Sequence, residues 1–275
     1  MQLVTACLMR QTKKAHCQRQ LTMSTSLTPT TKEERDKENT IMKYSKESIA
    51  KVAERIRKTI EHVAATEIME LKPRLIKGNR KIGDVWHFST AAIASCGNCG
   101  ECKWFCYELK AYLLYPSVLL SRCRNYVLTR YRREYVFTEI SEMLKRKRTE
   151  YKWFRWHVGG EIQDMDYFER MIQVAVENPD WHFYTYTKMY HIVNEWCRIH
   201  GGKEALPKNL AIMFSEWDGM PMDNPYNFPT FRCIMADGSS RPLQDDEWLC
   251  PGKCKICIAS GHGCPFGEKT ANHEH

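Results

Sequence analysis

Short aromatic and β-branched runs recur along this chain with a helical stretch between them, and that alternation limits the fold more than any other feature. Residues 85–90 (Val-Trp-His-Phe-Ser-Thr), 153–158 (Trp-Phe-Arg-Trp-His-Val), 181–187 (Trp-His-Phe-Tyr-Thr-Tyr-Thr) and 209–215 (Asn-Leu-Ala-Ile-Met-Phe-Ser) read as strands, with 231–236 as a candidate fifth. Between them, 116–147 reads as two helices joined near 129–135. Residues 166–177 carry Phe168, Met171, Ile172 and Ala175 on one face and stop at Asn178-Pro179-Asp180, and 189–200 ends at Gly201-Gly202. Strands alternating with helices call for a parallel sheet, since parallel neighbours need a long crossover. Four or five such units suit either a partial barrel or an open doubly wound sheet, and in both a ligand sits at the carboxyl ends of the strands.

Ahead of this region, Ile49, Val52, Ala53, Ile56, Ile60 and Val63 recur at helical spacing, with Ser45 or Ser48 as cap. A basic turn segment follows at 72–79. Residues 1–41 are polar and lack a periodic apolar pattern, which predicts a disordered tail. The expected division is therefore a tail at 1–41, a helix and basic turn segment at 42–82, an α/β domain at 83–236 and a Cys-rich segment at 237–275.

Of the 13 cysteines, eight fall into two tight groups. No secretory signal is evident, so clustered thiols point to metal rather than to disulfides. Cys96, Cys99, Cys102 and Cys106 have the Cys-x2-Cys-x2-Cys-x3-Cys spacing of a bacterial ferredoxin run, although Tyr107 stands where proline would follow. Gly97 and Gly100 permit tight turns between the sulfurs. Zinc also uses Cys-x2-Cys half-sites. The position after a strand favours an iron–sulfur cluster here.

Cys250, Cys254, Cys257 and Cys264 form the second group, in a Gly- and Lys-bearing loop beyond the alternating region. A zinc knuckle is favoured slightly over an auxiliary iron–sulfur cluster, with His262 able to replace one thiol. Metal there would staple a segment too short to hold a core of its own.

The stretches CYELK, FRWHVGGEIQD, NPDWHFYTYTK and NLAIMFSEW resemble the phage gene product 88 family and related phage proteins, over roughly residues 83–264. A strand, a cysteine loop with aromatics (Trp104, Phe105) before its last cysteine, and Gly159-Gly160-Glu161 at the next strand end also resemble the radical S-adenosylmethionine superfamily. The resemblance implies a partial (β/α) barrel, to which the second cysteine group adds a small Cys-rich C-terminal metal-binding appendage. It implies a [4Fe-4S] cluster held by three cysteines, the open iron taking S-adenosylmethionine, and Gly159, Gly160 and Glu161 binding the methionine amine. The superfamily spacing is Cys-x3-Cys-x2-Cys, whereas this loop offers four thiols. If Cys99 is a bystander, Cys96, Cys102 and Cys106 leave one iron open; if all four bind, the cluster carries electrons or holds structure.

The net charge of +8 is uneven. Arg122, Arg124, Arg130, Arg132, Arg133, Lys145, Arg146, Lys147 and Arg148 face only Glu134, Glu139 and Glu142 in sequence, a run able to attract the phosphates of nucleic acid or simply to form a solvated helix face. No apolar run approaches the ~20 residues of a membrane span. A cytoplasmic protein is the expectation, in the host cytoplasm for a phage-encoded chain. His157 reads as a core histidine ahead of a catalytic one, Lys188 as a helix start ahead of an anion contact, and Tyr184, Tyr186, Trp153 and Trp156 as sheet packing. Glu216 and Asp218 have no acid–base partner that spacing identifies. The leading expectation is a phage-type iron–sulfur protein resembling radical S-adenosylmethionine enzymes; the alternatives are a zinc-bearing nucleic-acid-binding protein without catalysis and an electron-transfer protein.

Overall fold

The structure is a computed structural model that describes residues 44–78, 81–97, 99–217, 219–235 and 238–273. The expected tail at 1–41 and Asp218 lie outside the described residues. Eight strands form one sheet: β1 (Ile76–Lys77), β2 (Trp86–Phe88), β3 (Trp153–Trp156), β4 (His182–Thr187), β5 (Leu210–Glu216), β6 (Thr230–Ile234), β7 (Trp248–Leu249) and β8 (Thr270–His273). The helices are α1 (Lys46–Ala64), α2 (Tyr107–Leu114), α3 (Pro116–Tyr131), α4 (Arg133–Lys145), α5 (Met165–Glu177), α6 (Tyr190–His200) and α7 (Cys254–Ser260).

The spatial order is β1-β2-β3-β4-β5-β6-β8-β7, with β1 antiparallel to β2 and every other pairing parallel. From β2 to β6 each new strand is added on the same side of the last one. A doubly wound sheet reverses its order at a switch point, and this one does not. Successive crossovers of one hand then put their helices on one face, as in an unrolled barrel. The sheet stays open, with β1 and β7 at its edges.

Aromatic residues two apart along the strands build the helix-covered face. Phe88, Phe154, Trp156, Phe183, Ile212 and Phe214 meet Phe137 and Ile140 of α4, Phe168 and Met171 of α5, and Val193 and Trp196 of α6. Each large side chain fully buried there contributes ~1.5–3 kcal/mol. Asp164 caps α5 by accepting the amide of Tyr167 at 2.9 Å, and Gly201 in the left-handed region (φ 82°) ends α6. The break expected between two helices near 129–135 falls at Arg132, whose guanidinium donates to the carbonyls of Met69 at 2.7 Å and Ile68 at 3.1 Å.

A second core joins Val52 and Ile56 of α1 to Leu109 and Tyr112 of α2 and Leu119 and Cys123 of α3, with Cys96 and Cys106 packed against it. Helix α1 begins at the Ser45 cap, which accepts the Ser48 amide at 3.1 Å.

On the face opposite the main helical layer, Arg155, Tyr184 and Ala211 lie abreast in register. Ile82, Val85, Val158 and Tyr184 gather there with Trp153, Cys254 and Ile258. Helix α7 thus lies across the amino-terminal part of the strands. The segment from 237 on, expected as an appendage, supplies β7 and β8 to the same sheet. Its strands escape the sequence pattern because β8 is Thr-Ala-Asn-His, mostly polar, and β7 has two residues.

Candidate functional site

The cysteine loop begins where β2 ends. Ser89, Thr90 and Ala91 are buried, and the Asn125 amide of α3 donates to the Ser89 carbonyl at 2.9 Å. The Thr90 hydroxyl donates to Ser95 Oγ at 3.0 Å, and Ser95 to the Ala91 carbonyl at 2.8 Å. The chain passes Cys96 and Cys99, makes a 3-10 turn over Gly100–Phe105, and enters α2 directly after Cys106. Gly100 takes φ 43°, and a Cβ on it would stand 2.5 Å from the Met220 side chain. A Cβ on Gly97 would meet Met189 Cε at 2.8 Å. The two glycines therefore let thioethers close over the loop.

The thiols approach one another in pairs. Cys99 lies within hydrogen-bonding reach of Cys102 and of Cys96. Donation from Cys102 lowers the Cys99 pKa, but Cys96 and burial raise it further, to about 11. The Cys99 contact, then burial, raises Cys102. Burial pushes Cys106 up to about 12, with Cys102 adding to it and the first amides of α2 opposing. Among the described residues, no three His, Cys, Asp or Glu side chains converge as a ready coordination sphere for one ion.

Beside this loop, β3 ends in Val158-Gly159-Gly160-Glu161. A Cβ on Gly159 would fall 2.3 Å from Glu108 Cδ, and one on Gly160, at φ 90°, would fall 2.1 Å from Thr90 Oγ1. The glycines make room for the protein's own side chains. Glu161 is 5% exposed; its carboxylate accepts the Thr187 hydroxyl at 2.8 Å and the amides of Ile162 at 2.8 Å and Lys188 at 2.9 Å. Burial raises its pKa against the pull of Lys188 and these donors. Burial disfavours the Lys188 ammonium in turn, but Cys102, Glu161 and Cys96 outweigh this and its pKa is raised. Four features expected at strand ends, the cysteine loop, Gly159-Gly160, Glu161 and Lys188, thus meet in one place.

The second cysteine group lies against the sheet face opposite the main helical layer. The amide of Cys250 donates to the Ala271 carbonyl at 2.8 Å and that of Cys254 to the Lys81 carbonyl at 3.0 Å. Cys264 Sγ lies 2.7 Å from the Tyr186 hydroxyl, and Cys257 is 2% exposed. Burial raises Cys264 most, the Tyr186 hydroxyl opposes it, and Cys254, Cys250 and Cys257 each add to the rise. Lys81 is lowered by burial while Cys250, Cys254 and Cys264 oppose the shift. His262, expected as an alternative ligand, stacks on Trp248 at 5.0 Å and pairs with Glu268 at 3.1 Å.

Thiols are soft donors, the chemistry that suits a soft metal or an iron–sulfur cluster, but the described side chains do not converge on one point. Cys96, Cys99, Cys102 and Cys106 would hold the group at the strand ends, and Cys250, Cys254, Cys257 and Cys264 the other.

The remaining candidates divide. His157 is buried, with Nε2 2.9 Å from the Tyr167 hydroxyl, and burial with nearby Arg155 pushes its pKa down to about 3. Trp156 and Tyr184 are fully buried, and Glu216 lies 3.6 Å from Arg241. Much of the basic run is engaged within the fold. Arg122 lies 3.4 Å from Glu108 with both side chains buried, and Arg133 holds Asp164 and Asp166. Arg124 donates to the Lys72 carbonyl, Lys145 and Arg146 pair with Glu142 and Glu139, and Lys147 sits over Trp86. Arg155, Tyr107, Met189 and Met220 were not foreseen at the site. For Arg155 the signal is a lone charge within an aromatic strand, Trp-Phe-Arg-Trp-His.

No described helix is long and apolar enough to cross a membrane. The chain matches no curated protein and no solved structure. Residues 54–227, which run from within α1 past β5 and contain the cysteine loop, Glu161 and Lys188, match the family model described as gene product 88, and the chain belongs to that family.

Proposed function

We propose that this chain is an iron–sulfur protein of the gene product 88 family whose Cys96–Cys106 loop holds a four-iron cluster and whose Glu161 receives the amine of S-adenosylmethionine. One observation carries the reading: a buried carboxylate stands at the end of the strand next to the cysteine loop with acceptor capacity to spare. A carboxylate offers about four lone-pair sites; among the described residues the Thr187 hydroxyl and two amides donate to Glu161, and the Lys188 ammonium stands near it. An ammonium fits the remaining site as a charge-assisted donor. When bound with one iron open, such a cluster supplies the electron that cleaves the sulfonium. Glu161 would orient the amine, and Met189 and Met220 would shield the loop from water. The second cysteine group is proposed to hold Zn2+, or a second iron–sulfur cluster, as a staple.

A second reading has its own support. Cys99 reaches both Cys96 and Cys102, an arrangement suited to four-thiolate ligation and an electron carrier. The nucleic-acid-binding alternative loses ground at Arg122, Arg124, Arg132 and Arg133, which are engaged within the fold, while Arg130, Lys145, Arg146 and Arg148 stay exposed.

Anaerobic purification and reconstitution tests the proposal. A brown protein absorbing near ~400 nm with acid-labile sulfide, and saturable S-adenosylmethionine binding by calorimetry, support it. A cluster without S-adenosylmethionine binding supports the electron carrier. Protein that takes up only zinc at the loop overturns both.

A further inference from the structure

The sheet lacks a helix over one part of its main helical face. Among the described residues, the α-helix between β6 and β8 in sequence is α7, and it packs on the opposite face. Thr230 of β6 stands abreast of Phe214, which belongs to the helix-covered core, so it faces that uncovered stretch. Loops wall the space that is left, and between them runs a cleft of about 530 Å³. Its size falls in the range of small-molecule sites. No cysteine lines it.

Lys203, Arg241 and Lys269 line this cleft against one carboxylate, Glu216. The Lys203 ammonium donates to the Asn227 carbonyl at 3.1 Å. Lys269 pairs with Asp246 at 2.5 Å, but both are about half exposed, and such a pair is weak. Arg241 bonds Glu247 at 2.7 Å, a carboxylate that already takes both prongs of Arg232, while Glu216 stands 3.6 Å away. The walls also hold donors in reserve. Among the described residues, the side chains of Asn227, Thr230 and Gln244 make no hydrogen bond to the protein, although Thr230 is 9% exposed. A nearly buried hydroxyl that turns to a cleft and not to the protein is satisfied by what the cleft holds. One wall is fixed in advance: Asn224 accepts the Phe228 amide and donates to the Phe228 carbonyl, both at 2.8 Å, and the Phe228 ring stacks on Phe214 at 4.8 Å. A wall ordered before binding lowers the cost of binding.

We infer that this cleft is a second ligand site, for a small organic anion whose phosphate or carboxylate is held by Lys203, Arg241 and Lys269 and whose polar groups meet Asn227, Thr230 and Gln244. Charge-assisted donors from three sides suit an oxyanion. Glu216 ends β5 and lies abreast of Arg232, two residues on from Thr230, so it selects a ligand that also carries a hydroxyl or amine. Phe228 and Pro229 offer an apolar wall to the ligand's body. The site goes beyond the proposed function and stands apart from it, whichever metal the cysteines bind.

The experiment is a titration of the full-length, 15N-labelled protein at constant ionic strength with inorganic phosphate, acetate and neutral acetamide. The reporter is the Gln244 side-chain amide, assigned by its absence in Gln244→Met; Gln244 is exposed, so that variant keeps the fold. Saturable displacement of the signal by phosphate or acetate, with acetamide inert, is expected, and the tighter anion identifies the class. Lys203→Met and Lys269→Met should each weaken that anion ~10-fold. No saturable displacement by either anion, or unchanged affinity in both lysine variants, overturns the inference. If Lys203→Met does not fold, the wild-type titration and the exposed Lys269→Met decide. Equal affinity in iron-loaded and iron-free protein is expected; displacement confined to the iron-loaded form would assign the anion to the cysteine loop and overturn the inference as well.

Discussion

Thr187, the last residue of β4, donates its hydroxyl to Oε1 of Glu161 beyond the end of β3 at 2.8 Å, and so locks the orientation of a carboxylate that burial holds partly against ionisation. Glu161→Gln should keep the fold within about 1.5 kcal/mol, because the amide preserves one acceptor oxygen and sheds a desolvated charge. Glu161→Ala should cost about 3–5 kcal/mol by leaving two amides, a hydroxyl and the Lys188 charge uncompensated. S-adenosylmethionine binding should be lost in both. Calorimetry beside urea melts separates the effects, and wild-type binding in Glu161→Gln would refute the assigned role.

The same residue predicts a slope in stability with pH. Its folded pKa lies above the unfolded carboxylate value of ~4.3. Between the two values the folded protein binds more protons than the unfolded chain, so this contribution falls as pH rises through the window. Comparing urea midpoints of wild type and Glu161→Gln from pH 4.5 upward should show that component missing in the variant.

In the proposed cluster, Cys99 would decide how many irons the protein holds. Cys102→Ala should abolish the cluster on either ligation scheme. Cys99→Ala should retain iron and sulfide near wild-type levels if that thiol is a bystander. Iron and sulfide analysis after anaerobic reconstitution reads the answer, and complete loss of iron from Cys99→Ala ends the open-iron scheme.

Arg232 of β6 and Glu247 form a buried two-pronged pair, at 2.8 and 2.7 Å, with Arg241 adding a third contact at 2.7 Å. Hydrogen bonding from Arg232 lowers the Glu247 pKa to about 2 despite burial. Because the folded value is depressed, the stabilisation is present above ~4.3 and fades as pH falls towards about 2, amounting to about 3 kcal/mol in all. Glu247→Ala should cost about 3–5 kcal/mol at neutral pH by stranding Arg232. Urea melts at pH 7 and pH 3 check both, and a variant as stable as wild type at pH 7 would contradict the prediction.

Removing metal from the second cysteine group should loosen the β7–β8 side of the sheet rather than release a separate unit, since β8 pairs with β6 along four residues. Hydrogen exchange with and without a chelator should show lost protection in 248–273 and little change in β3 and β4. Identical protection in the two samples would argue against a metal staple.

The central strands were legible because their aromatic density and flanking turns are local signals; Trp153 to Trp156 and His182 to Thr187 fall inside the predicted runs. Helix α2 was not foreseen, because Tyr-Glu-Leu-Lys-Ala-Tyr-Leu-Leu carries apolar residues all around and shows no face. Spacing alone grouped the thiols, yet the methionines over Gly97 and Gly100 depend on distant segments and leave no mark near the loop. The basic run misleads for the same reason: Arg122 and Arg133 answer to Glu108 and to Asp164 and Asp166, acids well removed in sequence.

The two outermost strands, β1 and β7, have two residues each. A longer free border would present a row of unpaired amides and carbonyls on which another chain could template itself. Here that row is nearly absent on both sides, so the open sheet resists growth by strand addition and guards against aggregation without closing into a ring.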